Sequence, residues 1–163
     1  MTTMRRKPYV NMSFIDFDSN NTFVCKYLLE HKLLEDPVVF VDVGCQKGIA
    51  RKWYHLDGGI KVYGFDPIKE EIQRLKNNIN NFPDRYWIPE NAEWIELALG
   101  EQKGRKDFFI PRFNTQASSF LEVLAQEGAR GRSAGNSRDD LVCREVDIDS
   151  LDNVMAKMSI DHI

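Results

Sequence analysis

The amino-acid sequence predicts an α/β fold with a mostly parallel sheet and flanking helices, and three observations support this class. Residues 38–43 form a short, almost wholly apolar run rich in β-branched residues, which is typical of a strand buried on both faces. Gly44 and Gly48 bracket a turn directly after that run, and apolar residues at helical spacing follow. A second short apolar run, 61–65, comes one repeat later and ends at Asp66-Pro67. Strand, glycine turn, helix and strand together indicate a βαβ unit.

The chain begins with a polar segment that precedes a single domain. Its 163 residues are enough for one domain with a sizeable core. Residues 1–20 are polar and irregular, so we assign them to an N-terminal segment and residues 21–163 to the domain. A helix is predicted from about residue 21 to Leu34, and Asp36-Pro37 ends it.

Two further helices are predicted from apolar residues that recur at helical spacing. The first follows the glycine turn and carries three such residues, Ile49, Trp53 and Leu56. The second follows Asp66-Pro67 and carries a longer apolar stripe, formed by Ile68, Ile72, Leu75 and Ile79. We expect both stripes to face the sheet.

The second half of the chain combines strands with a polar, glycine-rich loop. Segments 94–99 and 106–110 are predicted strands, and the glycines between them indicate a β-hairpin. Segment 141–148 alternates enough to predict another strand. A last helix is marked by four apolar residues, Leu151, Val154, Met155 and Met158. Before these elements we predict a short helix at 120–126 and a mobile loop at 128–140.

Composition and charge exclude several classes of function. The formal net charge is -3, so no whole-protein field recruits nucleic acid or an anionic membrane. The basic run Arg5-Arg6-Lys7 is better explained as a solvated terminus than as a binding arm. No long apolar stretch indicates a signal peptide or a membrane span. Cys25, Cys45 and Cys143 lack metal-ligand spacing, and they predict reduced thiols in a cytoplasmic protein without a metal site.

The glycine turn and Asp66 together indicate the kind of ligand. An acid at the tip of the second strand, about 20 residues beyond such a turn, hydrogen-bonds ribose hydroxyls in nucleoside-binding α/β folds. The spacing from Gly44 to Asp66 fits this role, and Asp42 suits a cationic or hydroxyl-bearing ligand. The pattern Gly-x-x-x-Gly lacks the middle glycine that lets a pyrophosphate press on the backbone. The residues therefore favour S-adenosylmethionine, a nucleoside with an amino-acid tail, over NAD; an ordinary tight turn is the structural alternative.

Six short motifs occur in a fixed order along the chain. They are Val41 to Gly48 (Val-Asp-Val-Gly-x-x-x-Gly), Gly64 to Pro67, Ala98 to Gly100, Phe108 to Pro111, Ser118-Ser119 and Val146 to Leu151. In this order they resemble the S-adenosylmethionine-dependent methyltransferases of the FkbM type over residues 38–163. The resemblance implies a Rossmann-like class I methyltransferase fold, in which residues 21–163 form a partial methyltransferase domain that contains the cofactor-binding half.

The resemblance implies that the glycine loop binds the methionine end of the cofactor. Asp42, Gly44 and Gly48 would line that end of S-adenosylmethionine, with Cys45 and Gln46 in the same loop. The family usually has Ala-Asn where this chain has Cys45-Gln46. Cysteine is nearly as small as alanine, so the loop should still close, whereas the longer glutamine moves its amide.

The resemblance also implies a ribose site, an adenine site and a reaction. Asp66, followed by Pro67, would hold the ribose hydroxyls, although the family often has Glu at this position. The segment from Glu96 to Ala98 would lie near the adenine. The implied reaction is O-methylation of a sugar or small-molecule hydroxyl. No catalytic residue is identified; His55 is a candidate base by residue type only, and a surface position explains it better.

Two groups of polar residues have a functional and a structural explanation. Ser118 and Ser119 either border the acceptor site or cap a helix. Three arginines in the glycine-rich loop either hold an anionic acceptor or belong to a solvated loop, and the second explanation is favoured: Arg130, Arg132 and Arg138.

The family pattern continues with a further strand where this chain reaches Ile163, so we expect the chain to be the N-terminal part of the pattern. Strand 38–43 is central in that family, and here we expect one of its edges to lack the usual neighbour. Such an edge favours pairing with another strand, either 141–148 or a strand of a second copy in a homo-oligomer. The alternative function is therefore a non-catalytic half-fold that serves as a binding or assembly module.

Overall fold

The computed structural model describes residues 37–112, 115–121 and 141–160, together with Tyr27, His31 and Ala125. Several predictions fall on other residues and lie outside this described part. They concern the irregular segment 1–20, most of the helix that starts at residue 21, most of the helix at 120–126 and the loop at 128–140.

The described elements alternate strands with short helices, as expected for an α/β chain. The strands are β1 (Val38–Val43), β2 (Ile49–Ala50), β3 (Ile60–Asp66), β4 (Tyr86–Trp87), β5 (Ala92–Glu96), β6 (Ala98–Leu99), β7 (Gly104–Pro111) and β8 (Leu141–Asp149). The α-helices are α1 (Lys69–Lys76) and α2 (Leu151–Lys157), and short 3-10 helices cover Arg51–Leu56 and Thr115–Ala117.

The central sheet is parallel and has the strand order β1-β3-β5. Asp42 of β1 lies opposite Gly64 of β3, and Asp66 at the end of β3 lies opposite Glu96 of β5. The carboxyl ends of all three strands therefore meet at one edge of the sheet. The predicted α/β class with a mostly parallel sheet is confirmed.

The second sheet contradicts two predictions about strand pairing. Its order is β6-β8-β7, with β8 parallel to β6 and antiparallel to β7. The hairpin predicted from 94–99 and 106–110 is wrong, because β8 lies between these segments and Ile148 is opposite both Ala98 and Gly104. The pairing of β8 with β1 is also wrong. β8 forms eight register pairs with β7, and Phe108, Ile110 and Val146 are buried in one apolar cluster there. Both edges of β8 are therefore occupied, one by β6 and one by β7.

Helices cover both faces of the central sheet. On one face, Ile72 and Leu75 of α1 pack with Val62 and Trp94. On the other face, Val154 of α2 packs with Tyr63, Phe65 and their partly buried neighbours. Each strand therefore alternates its apolar side chains between two cores, which explains why β1 and β3 have nearly continuous apolar sequences.

Two helix predictions need correction. The stripe on α1 holds for Ile72 and Leu75 only. Ile68 is the N-cap and packs in the apolar cluster of the second sheet, and Ile79 is 51% exposed because the helix ends at Lys76 and Asn78 adopts a left-handed conformation with φ of 54°. No α-helix follows the glycine turn. Residues 49–50 form β2 instead, and the 3-10 helix Arg51–Leu56 continues from it, because β2 pairs with β4.

Candidate functional site

A crevice of about 410 Å³ opens at the carboxyl ends of β1 and β3. Of the eight residues predicted to bind the cofactor, seven line it: Asp42, Gly44, Gln46, Gly48, Asp66, Pro67 and Ala98. Cys45 belongs to the same loop but does not line the crevice. Ligand sites in open α/β sheets lie at this edge, so the crevice is where the fold itself predicts one.

The glycine loop is shaped by two residues in the left-handed region. Gly44 has φ of 81° and Gly48 has φ of 87°, and a Cβ on Gly48 would lie 2.6 Å from the Trp87 carbonyl oxygen. The loop N–H groups are largely used within the protein. Those of Gly44 and Cys45 donate to the Phe65 carbonyl at 2.8 and 3.3 Å, and that of Gly48 donates to Cys45 at 2.9 Å.

This arrangement differs from a phosphate-binding loop. No α-helix begins after the turn to present its N-terminal N–H groups, and three of the loop N–H groups have intramolecular acceptors. Backbone recognition of a pyrophosphate needs free N–H groups. The N–H groups of Gly44, Cys45 and Gly48 are therefore not free to bind such a group.

Cys45 points into the core and not into the crevice. Its side chain is 1% exposed, and a Cβ on Gly64 would lie 3.0 Å from its Sγ. Burial raises the pKa of the Cys45 thiol, and the carboxylates of Asp66 and Asp42 raise it further. Such a thiol stays protonated and is not a nucleophile. Cys45 therefore shapes the loop by packing beneath it, which the sequence did not distinguish from a direct contact.

Asp66 is a buried carboxylate at the bottom of the crevice. It is 2% exposed, and its Oδ1 accepts the N–H of Ile68 at 2.8 Å, which orients the carboxylate at the end of β3. Burial raises its pKa to about 6, against the opposing effect of the Ile68 N–H and the Gln46 amide. Burial also raises the pKa of Asp42 on the neighbouring strand. Two partly desolvated acceptors beside each other suit hydroxyl and ammonium donors.

Gln46 connects the glycine loop to the segment 115–121. Its Nε2 donates to the Thr115 carbonyl at 3.0 Å, and the Thr115 hydroxyl donates to its Oε1 at 3.3 Å. Ser118 lines the crevice and donates to the same carbonyl, whereas the Ser119 hydroxyl accepts the N–H of Leu121 at 3.0 Å. Ser118 therefore borders the crevice, whereas the Ser119 hydroxyl is engaged with the backbone two residues further on.

The opposite end of the crevice, beyond β3, is apolar. Leu97 and Ala98 line it together with Phe108 and Phe120, whose rings meet edge to face with centroids 5.0 Å apart. Glu96 was expected beside the adenine, but it is exposed and lies outside this lining. The crevice thus has a polar end near β1 and an apolar end near β6.

Sequence reasoning missed three residues that shape the polar end. Lys47 and Tyr86 line the crevice, and the Lys47 Nζ lies 5.4 Å from the centroid of the Tyr86 ring. Arg74 of α1 is half-buried and donates to the Gln46 carbonyl. Lys47 stands between the two glycines of the motif and was detectable there, whereas no sequence signal brings Tyr86 to it.

A candidate base, a metal site and a membrane span can be assessed only on the residues that the structure describes. The side chain of His55 lies outside the described part. The part of the chain that the structure describes contains no group of three or more histidine, cysteine or acidic residues arranged to hold a metal. Within the same residues, no helix has the length and apolar character needed to cross a membrane.

Compared with known proteins, the chain matches no family model, no curated protein and no solved structure.

Proposed function

We propose that the crevice binds S-adenosylmethionine and that the chain is a methyltransferase of the Rossmann-like class I type, resembling the FkbM family. One observation carries this proposal: the loop that contains Gly44 and Gly48 and the buried carboxylate of Asp66 line the same crevice on adjacent parallel strands. The expected reaction is O-methylation of a sugar or small-molecule hydroxyl.

The chemistry of the lining supports this ligand over a dinucleotide. Asp66 offers an oriented carboxylate to the two ribose hydroxyls, and Asp42 offers a second one to the ammonium or sulfonium of the methionine end. The apolar end, with Leu97 and Phe120, suits the adenine ring. The N–H groups of Gly44 and Gly48 already have acceptors, which disfavours a ligand held by its pyrophosphate.

The residues would act by holding two reactants in line. When bound, S-adenosylmethionine would supply the methyl group: the acceptor oxygen would bond to the methyl carbon as the bond from that carbon to sulfur breaks, S-adenosylhomocysteine would leave, and the hydroxyl proton would pass to a base or solvent. Gln46 and Thr115 fix the loop beside the methionine end, and Asp66 fixes the ribose. Positioning of this kind supplies much of the acceleration in such displacements.

Calorimetry with S-adenosylhomocysteine tests the proposal. We expect a dissociation constant in the roughly micromolar range and at least about tenfold weaker binding by Asp66→Asn, because an amide accepts fewer hydroxyl hydrogen bonds than a carboxylate. Asp107→Asn, at an exposed acid of β7, is the matched control and should bind like the wild type. Absence of binding by the wild type, or equal binding by Asp66→Asn, would overturn the proposal.

A second candidate function is a non-catalytic binding or assembly module. The observation that favours it is that β1 pairs only with β3 among the described strands, with Val43 63% exposed at its end. A strand with one unpaired edge can add a strand from another chain, including a second copy. A monomer by light scattering, with fast exchange of those β1 amide hydrogens that do not donate to β3, would exclude pairing of this edge and with it this function.

A further inference from the structure

Lys47 lines the crevice, and its ammonium group contacts two aromatic rings. Its Nζ lies 4.8 Å from the centroid of Phe82 and 5.4 Å from that of Tyr86, and the two rings meet edge to face. Tyr86 lines the crevice with Lys47, whereas Phe82 stands behind them and is 46% exposed. Cation–π contacts of this kind fix the position of an otherwise flexible ammonium.

Lys47 keeps an unneutralised charge in this position. Among the described residues, no carboxylate lies within ion-pair distance of its Nζ, although Asp42 and Asp66 line the same crevice. The nearby Arg51 is engaged differently, because its guanidinium donates to the Pro83 carbonyl at 2.7 Å. Among the described residues that line the crevice, Lys47 is therefore the cation that remains available to an anionic group.

We infer that Lys47 binds the α-carboxylate of the methionine tail of the cofactor. This inference rests on the proposed function. The tail carries one ammonium and one carboxylate, and the polar end supplies one charge for each: the carboxylate of Asp42 and the ammonium of Lys47. Phe82 acts as a positioning residue, because it touches Lys47 but does not line the crevice.

The choice of ligand distinguishes carboxylate binding by Lys47 from a purely structural role of this residue. If Lys47 only covered the two rings, its replacement would affect every ligand of the crevice equally or not at all. If it binds the carboxylate, its replacement weakens only ligands that carry one. Three adenosyl compounds form the series: S-adenosylhomocysteine, its decarboxylated analogue 5′-(3-aminopropylthio)-5′-deoxyadenosine, and 5′-methylthioadenosine, which lacks the whole amino-acid tail.

Calorimetry of the three compounds with Lys47→Met tests the inference. We expect S-adenosylhomocysteine to bind about tenfold more weakly, as for loss of a half-buried ion pair, while the two compounds without a carboxylate change less than about twofold. Phe82→Leu should weaken S-adenosylhomocysteine by about threefold in the wild-type background and should have no effect in Lys47→Met. Lys52→Met is the matched control, since its ammonium lies 5.7 Å from the Trp53 ring and outside the crevice lining.

The results show whether the carboxylate assignment fails alone or together with the proposed function. Equal loss of all three compounds in Lys47→Met, or no loss of any, overturns the carboxylate assignment and leaves the proposed function intact. A wild-type protein that binds none of the three overturns both. Thermal unfolding of Lys47→Met, compared with that of Lys52→Met, shows whether the variant is folded under the conditions of the titration.

Discussion

Replacing Asp66 with asparagine is expected to stabilise the fold near neutral pH, although the same change weakens ligand binding. Asp66 is 2% exposed, and burial raises the pKa of its carboxyl group from 3.8 to about 6. A tenfold change in proton affinity corresponds to about 1.4 kcal/mol, so the ionised carboxylate costs the folded state about 3 kcal/mol. Asparagine keeps an oxygen that accepts the Ile68 N–H but carries no charge, so it removes this cost.

The expected stabilisation depends on pH in one direction. Because the pKa of Asp66 is higher in the folded chain than in the unfolded chain, ionisation penalises the fold above pH 3.8, and the penalty is complete above about pH 6. Between these values the folded state binds a proton that the unfolded state has lost. The unfolding free energy of the wild type therefore falls as the pH rises, relative to that of Asp66→Asn.

Urea unfolding at about pH 4 and about pH 7.5 measures this difference, with the fluorescence of the buried Trp87 and Trp94 as the signal. We expect nearly equal stability at the lower pH and a gain of up to about 3 kcal/mol for Asp66→Asn at the higher pH. Asp107→Asn should show no gain that depends on pH. An Asp66→Asn variant that is less stable than the wild type at the higher pH, or equally changed at both, would refute the reasoning.

Three further predictions concern the loop, the core and an ion pair. Gly48→Ala should lower the free energy of unfolding in urea by at least about 2 kcal/mol, since φ is 87° and the Cβ would meet the Trp87 carbonyl. Gly44→Ala, whose Cβ would enter open space, should lower it by about 1 kcal/mol. Equal losses of stability would contradict this prediction. Ile72→Ala should cost about 3 kcal/mol because Ile72 is fully buried between α1 and the sheet, and a cost below about 1 kcal/mol would argue against that packing. The Lys157 ammonium and the Asn153 amide lower the pKa of Asp149 to about 2, so Lys157→Met should lower the Tm at neutral pH. That difference should vanish as the pH falls from about 4 through about 2, and its persistence in stronger acid would speak against the ion pair.

The local elements and half of the site were predictable from residue order. β1 and β3 follow from apolar runs, because a strand covered on both faces must be apolar nearly throughout, whereas β8 follows from alternation and α2 from the spacing of its apolar residues. The loop and Asp66 were predictable because the carboxyl-terminal tips of adjacent parallel strands lie at the same edge of a sheet, although the connection between β1 and β3 is not the expected α-helix. The assignment of a cofactor to them remains a proposal.

Pairing between distant strands and the rest of the site depended on tertiary structure. Nothing local favours β8 over β6 as the neighbour of β7, since the choice depends on which apolar faces complete one core. In the same way, Tyr86 reaches Lys47 only because β4 pairs with β2. The sequence by itself determined which residues are apolar, where turns bend the backbone and which strand tips are acidic. Tertiary structure alone decided which side chains share the crevice, because such contacts join segments whose spacing along the chain carries no periodic signal.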